Sequence, residues 1–107
     1  MTVQQLTVTA LQAMLAQSEP LVLLDVREPR EFDYAQITGS ILIPLQQLPQ
    51  RLNELDSTKA IAVICHHGMR SQQAAEYLVH TGFNQVLNVK GGIDAWSLDC
   101  DAGVPRY

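Results

Sequence analysis

The amino-acid sequence predicts an α/β fold in which helices flank both faces of a mostly parallel central sheet. Two apolar runs of strand length, Leu21–Val26 and Lys59–Cys65, give the first indication, because a strand buried on both faces is apolar along its whole length. Helical patterns separate these runs from each other and from a third strand segment, Asn84–Gly92. Strands that alternate with helices connect through right-handed crossovers and form a parallel sheet.

The N-terminal part of the chain predicts a short strand, a helix and then the first apolar run. Leu6–Thr9 has the composition of a strand. Thr9, with a glutamine three positions later, predicts a capping box that opens a helix over Ala10–Gln17. Pro20 separates this helix from the apolar run that follows.

The next segment, Arg27–Gln36, predicts a helix with Pro29 in its first turn. Glu28 and Glu31 lie at the N-terminal end of this helix, where a negative charge suits the helix dipole, and we assign them no further role. Ser40–Pro44 then predicts a short strand that the proline closes.

Three more helical segments follow from the spacing of apolar side chains. Gln46–Leu55 carries leucines at helical spacing, with Pro49 in the first turn. Arg70–Gly82 carries an apolar face and ends in a glycine, which favours a helix C-terminus. Ile93–Asp99 predicts a short last helix, and we expect Trp96 in it to pack against the core.

Length and composition predict one globular domain over residues 1–107. Hydrophobic residues make up 47% of the chain and charged residues 17%, which is too apolar for a disordered protein and sufficient for one core. Seven basic against eleven acidic residues give a net charge of −4, which argues against a broad nucleic-acid or anionic-membrane surface. Any anion site is therefore local. Nothing in the pattern requires an assembly, and we expect a monomer.

The start of the chain lacks the basic and long apolar stretches of a secretory signal, and no window approaches the roughly 18 apolar residues of a membrane span. We therefore expect a cytoplasmic protein with both cysteines, Cys65 and Cys100, reduced. The aspartates on either side of Cys100 predict a raised pKa for its thiol, so we expect it to be non-catalytic. The alternative is a resolving role, in which Cys100 forms a disulfide with Cys65.

Cys65 stands where the second apolar strand gives way to a helix, in the stretch VICHHGMRS. Ligands of open parallel sheets bind beyond the carboxyl ends of the strands, where this thiol lies. Gly68 permits a sharp turn, so that backbone N–H groups converge beside a helix N-terminus and stabilise an anion. Arg70 adds a permanent positive charge. The pattern favours a nucleophilic thiolate in an anion cradle, with an inert core cysteine as the alternative.

The chain contains three segments in a characteristic order, LLDVREPREFDYAQITGSILIP, VICHHGMRSQQAAEYLVHTGF and VLNVKGGIDAWSLD. In their order and separations they resemble the signature segments of the rhodanese (sulfurtransferase) family, and they cover the chain from about Leu21 to Asp99. The tail VPRY is similar to that of stand-alone domains of this type. Gln36 departs from the pattern, because the family often has a histidine at this place. The resemblance implies a small α/β rhodanese fold.

The resemblance further implies that Cys65 takes up sulfane sulfur as a persulfide and passes it to a nucleophilic acceptor, without a metal or organic cofactor. The donor would be thiosulfate, another small sulfur-containing anion or a persulfide, and a protein could donate or accept the sulfur. Loop amides would hold the negative terminal sulfur, and Arg70 would orient an anionic donor. The substrate-binding residues expected on this basis are His66, His67, Gly68, Met69, Arg70 and Ser71.

Two other functions remain open at this point. One is a non-catalytic sulfur-relay or docking module for a partner protein, although the intact cysteine and arginine argue against it. The other is a phosphatase or arsenate reductase, since family members with such activities resemble this loop but carry one residue more. The four residues between Cys65 and Arg70 form a cradle that fits a persulfide and crowds a phosphate, which favours sulfur transfer.

Neighbouring side chains have simpler interpretations. His66 and His67 either position the substrate or contribute only their backbone N–H groups. Consecutive side chains diverge, so Cys-His-His is poor spacing for a zinc site, and we expect no metal. For Asp25 and Arg27, the resemblance suggests a structural ion pair or hydrogen-bonding role, with direct substrate contact as the alternative.

Overall fold

The central sheet of the computed structural model is parallel throughout, with the strand order β1-β5-β4-β2-β3. The structure describes residues 3–18 and 20–107, so three residues of the predicted 1–107 domain, Met1, Thr2 and Glu19, lie outside the described residues. The strands are β1 (Gln4–Leu6), β2 (Leu21–Asp25), β3 (Ile41–Leu42), β4 (Ala60–Ile64) and β5 (Val86–Val89).

Helices cover both faces of this sheet, which confirms the predicted α/β architecture. Two short 3-10 segments follow β3 in addition to the α-helices. No helix within residues 3–18 and 20–107 has the length and apolar character needed to cross a membrane. The α-helices are α1 (Val8–Ala16), α2 (Pro29–Tyr34), α3 (Met69–His80) and α4 (Gly92–Asp99), and the 3-10 segments are Leu45–Gln47 and Pro49–Glu54.

The hydrophobic core has two parts because successive residues of a strand face opposite sides of the sheet. Ile61 and Val63 of β4 pack on one side with the apolar face of α3. Ala62 and Ile64 pack on the other side with α1 and α4. Trp96 of α4 is buried in this second cluster, which confirms its predicted packing role.

The first helix begins earlier than the sequence predicts, and this prediction of its start was wrong. The N-cap is Thr7 instead of Thr9, because the Thr7 hydroxyl oxygen accepts a hydrogen bond of 3.1 Å from the Ala10 backbone N–H. Val8 is buried with Leu11 and therefore belongs to the helix. The strand before it ends at Leu6, three residues earlier than predicted.

The predicted helical segment Gln46–Leu55 consists of parts of two 3-10 segments instead of one α-helix. Pro44 lies before the first segment and Pro49 opens the second, and a proline supplies no backbone N–H to continue a helix. Arg51 has φ of −115°, which is a further break in the second segment. Leu48 and Leu55 are nevertheless buried, as their spacing predicts.

The register of the sheet brings the ends of β2 and β4 side by side. Asp25 pairs with Ile64, and the Val26 backbone N–H donates to the Ile64 carbonyl at 3.1 Å. The chain therefore leaves both strands at the same edge, with Cys65 after one and Arg27 after the other.

Candidate active site

Cys65 lies directly after β4 and is almost fully buried, with 1% of its surface exposed. The Gly68 backbone N–H donates a hydrogen bond of 3.1 Å to the Cys65 sulfur. Gly68 has φ of +111°, which glycine adopts without the strain that a side chain would bring. The turn at Gly68 thus returns the backbone to the sulfur just before α3 begins. One of the loop amides expected to converge on the thiol, that of Gly68, therefore contacts it.

The start of α4 holds the other side of the loop. The backbone N–H of Ile93 donates to the Cys65 carbonyl at 2.9 Å, and that of Asp94 donates to the His66 carbonyl at 3.1 Å. Gly92 has φ of +61°, and a Cβ atom there would lie closer than 3.0 Å to both carbonyl oxygens. The glycine therefore permits a close approach between the helix and the loop.

A chain of hydrogen bonds connects the thiol with the surface. The Ser71 hydroxyl lies 3.3 Å from the Cys65 sulfur and donates to Asn88 Oδ1 at 2.5 Å. Asn88 Nδ2 donates to Gln5 Oε1 at 3.0 Å, and Gln5 Nε2 donates to Gln72 Oε1 at 2.7 Å. Because the single hydroxyl hydrogen of Ser71 goes to Asn88, a neutral Cys65 thiol is the donor in its contact with Ser71. Sequence reasoning missed Asn88 and the two glutamines, which come from separate elements.

Arg70 forms a bidentate ion pair with Glu31 of α2, with both N–O distances 2.8 Å. The hydrogen bonds from Arg70 are the largest cause that lowers the pKa of Glu31 to about 2. The same contact raises the pKa of Arg70. Glu31 also accepts a hydrogen bond of 2.9 Å from the backbone N–H of Glu28, as the helix N-terminal position predicts. The sequence alone does not pair Glu31 with the loop arginine, because 39 positions separate the two residues.

Tyr107 lies over the loop, a position that sequence reasoning did not anticipate. Its ring stacks on His66 with centroids 3.9 Å apart and planes 8° from parallel, and His66 stacks in turn on His67. The Tyr107 hydroxyl accepts a hydrogen bond of 2.8 Å from Arg27 and donates one of 2.9 Å to Glu31. This residue therefore links the histidines of the loop with the partner of Arg70.

The ion pair suggested for Asp25 and Arg27 is confirmed. Both side chains are buried, and the Arg27 Nη2–Asp25 Oδ2 distance is 2.7 Å. Arg27 also donates to the backbone carbonyls of Glu31, in the first turn of α2, and of Ala35, just after the helix. The pair thus fixes α2 against β2 and positions Glu31 beside the loop.

A family model described as "Rhodanese-like domain" matches residues 7–99. The chain belongs to this family. A rhodanese-like domain protein of known structure from Staphylococcus aureus superposes with a TM-score of 0.85 at 30% identity, covering 98% of this chain and 99% of that one. The predicted rhodanese-like fold is therefore confirmed.

Curated relatives of this rhodanese-like domain include named sulfurtransferases. The thiosulfate sulfurtransferase GlpE of Vibrio cholerae is 37% identical over 89 residues, which cover 83% of each chain. YrkF of Bacillus subtilis, whose name describes a sulfur carrier protein, is 37% identical over 95 residues, covering 89% of this chain and 51% of that one. The chain thus spans about half the length of YrkF and most of GlpE.

The rhodanese-like domain has one group of side chains with the composition of a metal site among its described residues. His66, His67 and Asp94 place one nitrogen or oxygen each within 4.8 Å of the others. Asp94 is paired with Arg106 at 2.9 Å, and the two imidazole planes lie 30° apart in a stack. In-plane lone pairs of stacked rings run side by side instead of converging on one ion, which disfavours tetrahedral coordination.

Burial lowers the pKa of the His66 imidazole, and the neighbouring His67 lowers it further. Its Nε2 is buried and makes no hydrogen bond with the described residues. The stacked ring of Tyr107 covers this imidazole.

A shallow groove of about 430 Å³ opens beside the loop that follows Cys65 in the rhodanese-like domain. Met69 is 84% exposed and lines this groove together with Gly68, Gln72 and Lys90. Of the predicted substrate-binding residues, Gly68 and Ser71 contact the sulfur, whereas the Met69 side chain lies in the groove wall.

Cys100 lies at the C-terminal end of α4 and is partly buried. Burial is the largest cause of its raised pKa, and Asp99 and Asp101 raise it further, which confirms the predicted direction. Cys100 packs with the core cluster on the face of the sheet opposite to that of Cys65. A disulfide between them would have to cross the sheet, which argues against a resolving role.

Proposed function

We propose that this chain is a sulfurtransferase that moves sulfane sulfur from thiosulfate or a persulfide donor to a nucleophilic acceptor through a persulfide on Cys65. The observation that carries the proposal is the Cys65 sulfur at the end of β4, with the Gly68 amide at 3.1 Å and the Ser71 hydroxyl at 3.3 Å. The Gly68 N–H donates to the sulfur as it stands, and the Ser71 hydroxyl would donate to it on turning from Asn88. Hydrogen-bond donors of this kind stabilise a thiolate and the negative sulfur of a persulfide. The similarity to a thiosulfate sulfurtransferase supports the same chemistry.

The first step loads Cys65 with sulfur. Its thiolate attacks the sulfane sulfur of the donor, and a bond forms between the two sulfur atoms. The bond between the sulfane sulfur and the rest of the donor breaks, and its electron pair leaves with sulfite when the donor is thiosulfate. The product is a Cys65 persulfide with the negative charge on its terminal sulfur, near the amides of the His66–Ser71 loop.

The second step returns the enzyme to its starting state. A nucleophilic acceptor such as cyanide attacks the terminal sulfur, the bond between the two sulfur atoms breaks, and its electron pair goes back to Cys65 as the thiolate. Atoms and charges balance in both steps without a metal or an organic cofactor. Because Cys65 is buried, we expect a slender donor such as a terminal sulfur to reach it more easily than a bulky group.

The likeness to a sulfur carrier protein favours a second candidate function, a sulfur relay between proteins. In this case Cys65 still carries the sulfur, but a protein persulfide is the donor or a protein is the acceptor. We expect a relay module to be loaded by a protein donor and to form little thiocyanate from small donors.

The test is turnover of thiosulfate with cyanide, followed as thiocyanate, for wild type, Cys65→Ser and Cys100→Ser. We expect Cys65→Ser to abolish turnover without loss of fold, and Cys100→Ser to retain most of the activity. Intact-protein mass after donor treatment should show one added sulfur atom on Cys65 in the wild type. Turnover that persists without Cys65, or a folded wild type that takes up no sulfur from any donor, would overturn the proposal.

A further inference from the structure

We propose that Glu31 selects the sulfur donor by charge: it neutralises Arg70, so that the site favours an uncharged or singly charged persulfide over the thiosulfate dianion. This inference rests on the proposed sulfur-transfer function and assigns a substrate class to the same site. Glu31 acts here as a specificity-determining residue that works through Arg70.

Glu31 is held firmly in its position beside Arg70. Oε1 accepts hydrogen bonds from Arg70 and from the Tyr107 hydroxyl, at 2.8 and 2.9 Å. Oε2 accepts from Arg70 and from the backbone N–H of Glu28, also at 2.8 and 2.9 Å. Four hydrogen bonds thus fill the acceptor positions of one carboxylate. Arg70 for its part commits two of its N–H groups to Glu31, so an anionic donor would have to compete with a fixed carboxylate for the same guanidinium.

Three arginines lie around the loop, and each forms an ion pair with a carboxylate. Each faces a carboxylate at 2.9 Å or less, so their positive charges are matched within the domain. Lys90, in the groove beside Met69, takes part in no ion pair among the described residues. The pairs are Arg27 with Asp25, Arg70 with Glu31 and Arg106 with Asp94.

Charge distinguishes the two donor classes in the step that loads Cys65. Attack of a thiolate on thiosulfate brings three negative charges together, and the Glu31 carboxylate adds a fourth against the one charge of Arg70. Attack on an uncharged hydropersulfide brings only the thiolate charge. In that step the outer sulfur transfers to Cys65, the bond to the carbon-bearing sulfur breaks, and the leaving thiolate takes the proton that the hydropersulfide carried.

The experiment compares wild type with Glu31→Gln, which keeps the size of the side chain and removes its charge. We measure kcat and KM with thiosulfate and with a small alkyl persulfide, using cyanide as acceptor. We expect Glu31→Gln to raise kcat/KM for thiosulfate about fivefold or more, chiefly through a lower KM, as one charge removed at close range implies. The value for the alkyl persulfide should change by no more than about twofold, because that donor carries at most one negative charge where thiosulfate carries two.

Alkylation of Cys65 gives a second measurement that does not depend on sulfur transfer. Iodoacetate is an anion and iodoacetamide is neutral. The ratio of the iodoacetate rate to the iodoacetamide rate at Cys65 therefore reports the charge around the thiol. We expect Glu31→Gln to raise this ratio about fivefold. Glu54→Gln is the matched control, because it removes the same charge from an exposed pair with Arg51 and should leave the ratio unchanged.

The outcomes separate this inference from the proposed function. Equal losses with both donors in Glu31→Gln, or an unchanged alkylation ratio, would show that Glu31 only supports the loop and would overturn the inference. A wild type that transfers sulfur from neither donor would overturn the proposed function, while the alkylation ratio would still show whether Glu31 sets the charge at Cys65. Arg70→Ala leaves Glu31 without its partner, and we expect it to impair thiosulfate turnover more than persulfide turnover.

Discussion

Ser71 and Asn88 determine the polar surroundings of the Cys65 sulfur. Asn88 is held in one orientation, because its Nδ2 donates to Gln5 and to the Gly68 carbonyl. Its Oδ1 therefore faces the Ser71 hydroxyl, and both side chains are buried. When Cys65 loses its proton, the contact between sulfur and Ser71 needs a donor on the serine side, so we expect the Ser71 hydroxyl to turn from Asn88 to the thiolate.

Ser71→Ala tests this function of the hydroxyl. Loss of one hydrogen bond to a charged group should slow alkylation of Cys65 by iodoacetamide at pH 7 about tenfold, corresponding to ~1.5 kcal/mol. Ser97→Ala is the control, since Ser97 is also buried but donates to the Ile93 carbonyl within α4. Equal rates for Ser71→Ala and wild type would contradict the proposed turn of the hydroxyl.

At the scale of elements, the contact between α4 and the loop after β4 positions Cys65. Two backbone N–H groups of the first turn of α4 bind the carbonyls of Cys65 and His66. These bonds hold the peptide groups on either side of the loop entrance, and Gly92 allows the two backbones to approach. The thiol is thus fixed by contacts between main chains, which tolerate little displacement.

Gly92→Ala should therefore reduce both stability and activity. The positive φ and the collision with two carbonyl oxygens together should cost about 1–3 kcal/mol in free energy of unfolding. We expect sulfur transfer to fall further than the folded fraction does, because the Cys65 carbonyl has to move. The measurements are urea unfolding and thiosulfate turnover on the same samples.

Gly39→Ala separates strain from collision. Gly39 has φ of +90°, but a Cβ atom there would meet nothing within 4 Å. The Gly39→Ala variant should lose free energy of unfolding through the strain of a positive φ, but its activity per folded molecule should be unchanged. If Gly92→Ala behaved in the same way as Gly39→Ala, the close approach of α4 would have no part in positioning Cys65.

At the scale of the whole molecule, an ion pair joins α2 to the start of α3 across the carboxyl edge of the sheet. The pKa of Glu31 falls from an ordinary 4.5 to about 2 because Arg70 binds its carboxylate in the folded state. A carboxyl group with a lowered pKa stabilises the fold fully above its unfolded value, and this stability is lost as the pH falls through the folded value. The stability contributed by Glu31 is therefore lost as the pH falls from 4.5 to about 2.

Unfolding at several pH values measures this contribution. We expect wild type to exceed Glu31→Gln in free energy of unfolding by on the order of 1–2 kcal/mol at pH 7, since the variant leaves Arg70 without its ionic partner. The difference should shrink below pH 4.5 and vanish near pH 2. Glu54→Gln should differ little from wild type throughout, because exposed pairs contribute little. A difference independent of pH would rule out the ion pair as its source.

The sequence predicted the sheet and the position of Cys65 at the end of a strand well, because both depend on local patterns. The apolar runs that became β2 and β4 lack the alternation of an exposed strand, and Cys65 follows one of them directly. The boundary of α1 was wrong because Thr7 and Thr9 are equivalent as capping residues until the burial of Val8 is known. Local patterns thus predict the presence of a helix or strand better than they predict the residues where it begins and ends.

The surroundings of Cys65 were less predictable, because the residues that pair around it are far apart in the chain. Glu31 and Arg70 are separated by 39 positions, and the Ser71–Asn88 bond joins residues 17 apart. Nothing in the order of residues pairs them before the sheet is assembled. The resemblance to rhodaneses implied roles for the loop itself, but it named no partner for Arg70. The short loop and the permanent charge at Arg70 were the signals available.

The position of Tyr107 has a practical consequence for protein production. Its ring rests on His66, so any peptide that follows residue 107 starts beside the loop that carries Cys65. The strands of a parallel sheet all begin at the opposite edge, where the chain enters β1 at Gln4. Affinity tags and surface-immobilisation handles therefore belong before β1, where they leave the approach to the thiol open.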